Sequence, residues 1–469
     1  MDWHAKQTPK KTAIVFEEQT INWAELAVQV DRAAGFFTKR LKDDRQRVVA
    51  ILLTNSPQFV IAYLGILKAG HIALPLDPAY KKMELDAIIG QVPPELIITD
   101  GRYWGQISDY PDQKIKYEEI LNNATSRKFL RLNAKYQIAS LTFTSGTTGK
   151  AKAVPNTHAN HIWNIKVCSE VWEWTSDDTM LLNLPLSHMH GIVMGLSGII
   201  YHGNTVYLRQ QSFNTNEMLN ELASGRISIF SHGPLAYMKM LEEGPPELDL
   251  SAVRLMISGS GPLPPAASDE FQQRFGVRII ETYGSTETGR IAANRLAERR
   301  TGTPGKPLPG VRIKLTREGE IMVKSGGLFP GYYQNEQATK EGFKSGWWRT
   351  GDIGEIKDGF IYLKGRRQEQ IRKFGYSVSP RDVEWAMLQN PQIKAIYVMG
   401  RQQPNKPNDE IIYFVISDLS DKEIIDYGKT NLLFAWRPDK IIHLKSLPRA
   451  TTGKLKLAKL RELAGVSNA

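Results

Sequence analysis

One cysteine, Cys168, stands in 469 residues, so no disulfide can close within the chain and no cysteine cluster can hold zinc. Long apolar runs are equally scarce. The most apolar stretch, around residues 191–200, falls well short of the ~20 residues that cross a bilayer. The opening residues Met1-Asp2-Trp3-His4-Ala5-Lys6 lack the basic-then-apolar order of a secretory signal. No repeat of fixed period and no low-complexity tract is present. A cytoplasmic protein with no integral membrane association is the expectation. With 41% hydrophobic and 23% charged residues, the composition excludes disorder, collagen and coiled coil and leaves a globular chain able to bury a large core. Acidic residues are in deficit, 49 against 60 Lys and Arg, for a formal charge of +11. The basic excess gathers near the end: between 436 and 469 stand Arg437, Lys440, Lys445, Arg449, Lys454, Lys456, Lys459 and Arg461 against Asp439 and Glu462. These residues form neither a basic arm nor a recognition helix, so an anionic partner other than nucleic acid is expected.

What is present is an alternation of helical and strand-like patterns. Residues 24–38 and 58–68 read as helices, and 48–53, 74–76 and 96–99 as short buried strands. Such alternation predicts the α/β class, with parallel-sheet layers. Near Gly302 the run Gly-Thr-Pro-Gly-Lys-Pro-Leu-Pro-Gly punctuates the chain, and shorter strands follow at 311–315 and 320–323. We therefore expect a large N-terminal core over 1–366, its β-rich subdomain spanning about 302–366. Beyond it, a helix at 380–388 and strands at 395–399 and 411–416 predict a small α+β domain of about a hundred residues.

The sharpest chemical feature is Leu141-Thr142-Phe143-Thr144-Ser145-Gly146-Thr147-Thr148-Gly149-Lys150-Ala151-Lys152. A β-branched run stops at a loop of hydroxyls, glycines and lysines, the donor set that a polyphosphate requires. Ala151 stands where a Walker loop needs its second glycine, so the loop is not of that type. A plain surface turn is the alternative, but nearly unbroken polarity docked onto an apolar strand argues against it.

This loop resembles the signature of the adenylate-forming superfamily, which includes acyl-CoA synthetases, adenylation domains and luciferases. Five further segments follow in that superfamily's order. They are Pro185-Leu186-Ser187-His188-Met189-His190-Gly191, Ser258-Gly259-Ser260-Gly261-Pro262-Leu263 and Tyr283-Gly284-Ser285-Thr286-Glu287-Thr288-Gly289. Trp348-Arg349-Thr350-Gly351-Asp352 with Gly365-Arg366 comes next, and Pro448-Arg449-Ala450-Thr451-Thr452-Gly453-Lys454 is last. The resemblance spans nearly the whole chain and implies ATP-dependent activation of a carboxylic acid to an acyl-adenylate, with Mg²⁺ and then a thiol acceptor such as CoA. It assigns the β- and γ-phosphates to Thr144, Ser145, Gly146, Thr147, Thr148, Gly149 and Lys152, and the adenine side to Gly259, Ser260, Gly261, Tyr283 and Gly284. Thr286 would donate to the α-phosphate and Glu287 would ligate Mg²⁺, an ion content with one carboxylate plus phosphate oxygens. Asp352 would accept both ribose hydroxyls, with Arg366 beside it. Lys454 would stabilise the charge that develops between carboxylate and α-phosphate. The same resemblance makes the C-terminal domain over 370–469 a mobile lid turning on a hinge at 367–369, centred on Gln368.

Taken one at a time these residues have ordinary readings. Asp352 after a glycine is a turn former, Glu287 a residue favoured at a helix start, and Lys454 a solvated tail lysine; their ordered series lifts them together. His188 is assigned a gate beside the acyl site, His190 a structural place, and the Trp347-Trp348 pair a packing role. Departures from the pattern are Ala151 and Ala153, where proline and glycine are usual, and Gln368, where Asp or Lys is usual. None removes a side-chain ligand.

The segments at 258–263 and 298–305 resemble most closely the branch containing malonyl-CoA synthetases. Malonate-users carry an arginine directly before the Tyr-Gly, where this chain has Thr282. Unless another cation replaces it, a buried second carboxylate would stand unpaired, at a cost of several kcal/mol. A monocarboxylic acid, fatty or aryl, is the resulting expectation, with Thr282, His232 and Gly233 lining its wall. For the acceptor, CoA is expected first and a separate acidic acyl carrier protein second. A non-catalytic nucleotide-binding scaffold is a third reading, opposed by the presence of Glu287, Asp352 and Lys454.

Overall fold

The computed structural model describes residues 1–42, 45–122, 136–144, 151–210, 214–245, 248–374, 376–402, 408–450 and 455–465. These group into two compact units, one formed by 1–311 with 324–341 and the other by 312–323 with 342–469.

The first unit holds two sheets. One is six-stranded, in the order Lys114–Lys116, Leu96–Thr99, Val48–Leu52, Ile72–Pro75, Ile138–Thr144, Lys152–Thr157, parallel except for its last pair. The other is nine-stranded and runs from Lys306–Pro307 through Gly289–Ala293, Ile279–Ser285, Leu255–Ser258, Ile229–His232, Thr179–Leu182, Thr205–Leu208 and Thr12–Phe16 to Gln19–Asn22. Its centre is parallel and its two ends are closed by antiparallel pairs.

Alternation along the strands decides the layering, because successive side chains point to opposite faces. Met180, Leu182, Ile229, Leu255 and Ile257 share one core with Val49 and Ile51 of the other sheet and with Val30, Phe37, Phe59, Ile61 and Ile165. Their neighbours Leu181, Phe230 and Met256 turn outward onto Leu219, Tyr237 and Phe271. Ala50 and Leu52 turn the other way, onto Leu85 and Ile88. The helices Trp23–Arg40, Pro57–Ala69 and His158–Trp172 are thus buried between two sheets, and further helices cover both outer faces. Local signals agree with this burial: Asn22 and Glu25 form a capping box at the first of these helices. Ser56 caps the second, Pro57 occupies its first turn, and Gly70 ends it in the left-handed conformation. The expected α/β class with parallel sheets is the observed one.

In the second unit a five-stranded antiparallel sheet runs Arg312–Leu315, Glu320–Lys324, Trp347–Lys357, Phe343–Lys344, with Phe360–Arg366 paired to Trp347–Lys357. The β-rich segment expected from about 302 begins as a sheet of its own at Arg312, since Lys306–Pro307 still pairs with Gly289–Ala293. The expected boundary at 366 lies within this unit, where Phe360–Arg366 runs into the 3₁₀ turn Arg367–Glu369. A three-stranded sheet follows, Ile393–Arg401, Glu410–Ser417 and Lys440–His443. Helices Pro380–Met387 and Asp421–Asn431 cover one face through Val383, Met387 and Ile424, and Leu457–Ala464 covers the other through Leu460 and Ala464. Trp348 packs edge-on to Phe343, the packing role expected of it, and Trp347 lies under the Lys314 ammonium.

Burial raises the carboxyl of Glu384 on Pro380–Met387 to about 8, even though one oxygen accepts the Val398 N–H. A carboxyl whose folded pKa is raised stabilises the fold below its unfolded value and loses that contribution as pH climbs through the folded one. Thermal melts should therefore show wild-type stability declining between pH 5 and pH 8, and Glu384→Gln should flatten that decline. Parallel melting curves for the two proteins across this range would remove Glu384 from the account.

Candidate active site

In a sheet of this kind ligands gather at the carboxyl ends of the parallel strands. Two of the sequence motifs and the pair His232-Gly233 leave the nine-stranded sheet there. Strand Ile229–His232 delivers His232 and Gly233, strand Leu255–Ser258 runs into Gly259-Ser260-Gly261, and Ile279–Ser285 carries Thr282, Tyr283 and Gly284. Gly284 is required by close approach, since a Cβ there would lie 2.1 Å from the Gly289 carbonyl oxygen. The next turn is stapled by Thr288, whose Oγ1 accepts the Ser285 N–H at 3.0 Å, and the turn holds Thr286 and Glu287 half-buried.

The Pro185–Gly191 motif is brought to the same place by Asn55, at the end of the other sheet's central strand. Its buried amide donates to the Leu184 carbonyl at 2.8 Å and accepts the Leu186 N–H at 3.0 Å. Gly191 then lies against Pro185, where a Cβ would be 2.3 Å from the carbonyl oxygen, and opens a π-helical segment, Gly191–Ser197. His188 Nε2 stands 3.3 Å from Asp77 Oδ2, a buried carboxylate whose other oxygen accepts the Ala79 N–H. His190, expected to be structural, lies on the strand ends themselves, with Nε2 2.8 Å from Ser231 Oγ and Nδ1 3.2 Å from Ser260 Oγ. His232 stacks on Phe230, and burial lowers its pKa to about 4, so its ring is neutral at pH 7. Thr282 is buried, with its hydroxyl donated to the Ala292 carbonyl at 2.9 Å.

The antiparallel pair Ile138–Thr144 and Lys152–Thr157 brings Thr144 and Lys152 into register on either side of the Ser/Thr/Gly loop. Ser145, Gly146, Thr147, Thr148 and Gly149 lie outside the described residues, as does Lys454. Lys152 reaches over the ring of Tyr332, 5.0 Å from its centroid, and the Tyr332 hydroxyl donates to Glu287 Oε1 at 3.0 Å. The Phe329 N–H donates to the Glu287 carbonyl and the Tyr333 N–H to the Ala153 carbonyl, both within 3 Å. Tyr332 therefore joins the hairpin lysine to the motif glutamate. Sequence reasoning missed it: a tyrosine after Pro330-Gly331 carries no local signal for that role.

In the second unit Asp352 and Arg366 face each other across paired strands, with Nε 3.0 Å from Oδ1. Thr350 fixes both, its hydroxyl accepting the Asp352 N–H and its carbonyl accepting from Arg366 Nη1. Gln368 is exposed in the turn Arg367–Glu369.

Among the described residues no three His, Cys, Asp or Glu side chains gather as a metal cluster. A divalent ion here would rest on Glu287 alone with ligand oxygens, the set that Mg²⁺ accepts when it binds through substrate phosphates. Tyr332→Phe keeps the ring under Lys152 and deletes the hydrogen bond to Glu287. Loss of one hydrogen bond to a charged group costs about 1.5–3 kcal/mol, so calorimetric affinity for magnesium-ATP should fall by roughly tenfold or more. Unchanged affinity would separate Glu287 from the nucleotide.

Known proteins resemble this chain over nearly its whole length. The chain is 29% identical over 479 residues to the 2-succinylbenzoate–CoA ligase of Bacillus subtilis (strain 168), covering 98% of this chain and 96% of that one. Against the mitochondrial malonate–CoA ligase ACSF3 of Homo sapiens the identity is 26% over 493 residues, with 92% and 84% covered. A solved structure of the O-succinylbenzoate coenzyme A synthetase MenE from Bacillus subtilis, in complex with ATP and magnesium ion, matches with a TM-score of 0.88 at 27% identity, covering 98% of each chain. The profile of the AMP-binding enzyme family matches residues 1–333, and by that match the chain belongs to the family of AMP-binding enzymes.

Proposed function

We propose that this protein is an acid–thiol ligase that joins a carboxylic acid to CoA through an acyl-adenylate. A carboxylate oxygen of the acid attacks the α-phosphorus of ATP, forming the C–O–P link as the bond to pyrophosphate breaks. The CoA thiol then attacks the carbonyl carbon, the thioester forms with loss of the thiol proton, and AMP leaves. The observation that carries this reading is the joining of Lys152 to Glu287 through Tyr332, which sets a cation and a carboxylate on one tyrosine at the edge of the loop 145–150. The resemblance to the malonate and 2-succinylbenzoate CoA ligases supports the reaction class.

On this reading the hairpin of Thr144, Ser145, Gly146, Thr147, Thr148, Gly149 and Lys152 holds the β- and γ-phosphates. Thr286 donates to the α-phosphate and Glu287 holds Mg²⁺, whose charge offsets that of the phosphates when bound. Asp352 and Arg366, fixed as a pair by Thr350, orient the ribose. Gly259, Ser260, Gly261, Tyr283 and Gly284 border the adenine, and His188, His232, Gly233 and Thr282 the acyl group. Lys454 neutralises the charge that grows between the two anions in the first step only. Orientation and charge neutralisation account for such a rate without covalent help from the protein. The lone Cys168 is buried, its thiol pushed up to about 12, in keeping with a reducing cytoplasmic setting.

Acid-dependent pyrophosphate release, measured over a panel of acids, followed by AMP and thioester with CoA, is the expected result. Absence of acid-dependent release would sink the reading, and a thioester formed only with a carrier protein would change the acceptor. Lys454→Ala should abolish adenylate formation while preserving thioester formation from pre-made acyl-adenylate; equal loss of both half-reactions would remove Lys454 from its role.

The two half-reactions need the same approach to one carbonyl, first for Lys454 and then for the thiol. We assign that exchange to a turn of residues 370–469 about 367–369. Gln368 can absorb a change in φ, whereas proline fixes φ near −65°. Gln368→Pro should therefore keep one half-reaction and cripple the other, and wild-type rates in both would place the hinge elsewhere.

A further inference from the structure

Arg290 is 9% exposed, in strand Gly289–Ala293 beside the Tyr-Gly strand. Its backbone N–H donates to Asn164 Oδ1 at 2.8 Å, and Gly284 is its register partner. Among the described residues its guanidinium makes no ion pair and no hydrogen bond, and the titratable neighbour that acts on it is the Cys168 thiol, which burial keeps protonated. A buried guanidinium without a carboxylate is costly, and proteins retain such a group where a ligand supplies the missing anion. Its direction is fixed by its neighbours. A Cβ placed on Gly259 would lie 3.0 Å from Arg290 Nη1, 3.2 Å from His190 Cε1 and 3.2 Å from Thr282 Cγ2. Arg290 thus points to the glycine turn at the strand ends, between Gly259, assigned above to the adenine side, and Thr282, assigned to the acyl substrate. Thr282 brings only its methyl to that point, because its hydroxyl is held by the Ala292 carbonyl. Of the nearby rings, His232 is neutral at pH 7, and His190 sets its two ring nitrogens against the hydroxyls of Ser231 and Ser260.

We infer that Arg290 is a substrate-binding residue that pairs with a second carboxylate on the acid being activated, so that the preferred substrates are dicarboxylic. This rests on the acid–thiol ligase reading and sharpens its substrate class. It replaces the monocarboxylic expectation, which depended on the lack of a cation at 282; the cation is supplied eight residues later, from the paired strand. A guanidinium accepts a carboxylate in a two-pronged geometry that an ammonium cannot reproduce.

The test compares matched acids in which the second carboxylate is kept or replaced by an isopropyl group of like shape. Suitable pairs are malonate with 3-methylbutanoate, succinate with 4-methylpentanoate and glutarate with 5-methylhexanoate; 2-succinylbenzoate is set against 4-oxo-4-phenylbutanoate, in which hydrogen takes the place of the ring carboxylate. Acid-dependent pyrophosphate release gives kcat/KM for each. Wild-type protein should favour the dicarboxylic member of at least one pair by tenfold or more. Arg290→Met should reduce that ratio at least thirtyfold, mainly through KM, and Arg290→Lys should restore part of it. Wild-type preference for the monocarboxylic member of every pair overturns the inference, whatever the variants do and whether or not they fold. A ratio unmoved in a folded Arg290→Met protein also overturns it. Calorimetric binding of the same acids in the presence of a non-hydrolysable ATP analogue separates this inference from the ligase reading. If no acid releases pyrophosphate yet dicarboxylate binding is selectively lost in Arg290→Met, the ligase reading fails and the Arg290 site stands. If the dicarboxylates bind no better than their partners, the Arg290 site fails.

Discussion

The first unit depends on one apolar core shared by two sheets. Because successive strand residues face opposite ways, Leu182, Ile229 and Ile257 must meet the same buried helices as Val49 and Ile51, while Leu181, Phe230 and Met256 must be covered from outside. Once both faces of a parallel sheet are closed, the open places for a ligand are the strand ends, where backbone groups leave the ladder. His232, Gly259, Thr282 and Glu287 all stand at or just beyond those ends. The position of the site is thus a consequence of how the core is filled.

Within that frame, polar contacts tie together chain segments far apart in sequence. Asn55 fixes the backbone of residues 184–186 across 129 and 131 positions of sequence, and Tyr332 reaches Glu287 across 45. His190 bridges Ser231 and Ser260. Several of these groups are removed from water, so each bond lost would leave an unsatisfied partner behind, and the segments are thereby held in one arrangement. Arg290 is the exception: it is buried without a counter-charge among the described residues, with its guanidinium beside Gly259 and Thr282.

The second unit shows the same economy in a smaller space. A β-ladder sets Asp352 opposite Arg366, and Thr350 uses its hydroxyl and its carbonyl to hold one residue of the pair each. Register alone places the two side chains on a common face, which explains how motif residues fourteen positions apart come to form an ion pair.

The sequence by itself determined the α/β class, the principal helices and the parallel strands, because hydrophobic period and capping residues act over a few neighbours. Residues 24–38, 58–68 and 380–388 fall inside the helices Trp23–Arg40, Pro57–Ala69 and, but for its last residue, Pro380–Met387. It also determined the composition of the phosphate-type loop and the order of six motifs, since a chemistry that needs particular side chains at particular spacings leaves them in the text. Only the tertiary structure decided that Tyr332 stands between Lys152 and Glu287, that His190 lines the strand ends, and that Arg290 turns its guanidinium toward Gly259. Thr282 brings no cation along its own strand, whereas the neighbouring strand carries Arg290, for strand pairing joins residues by register across space and leaves no mark in local sequence.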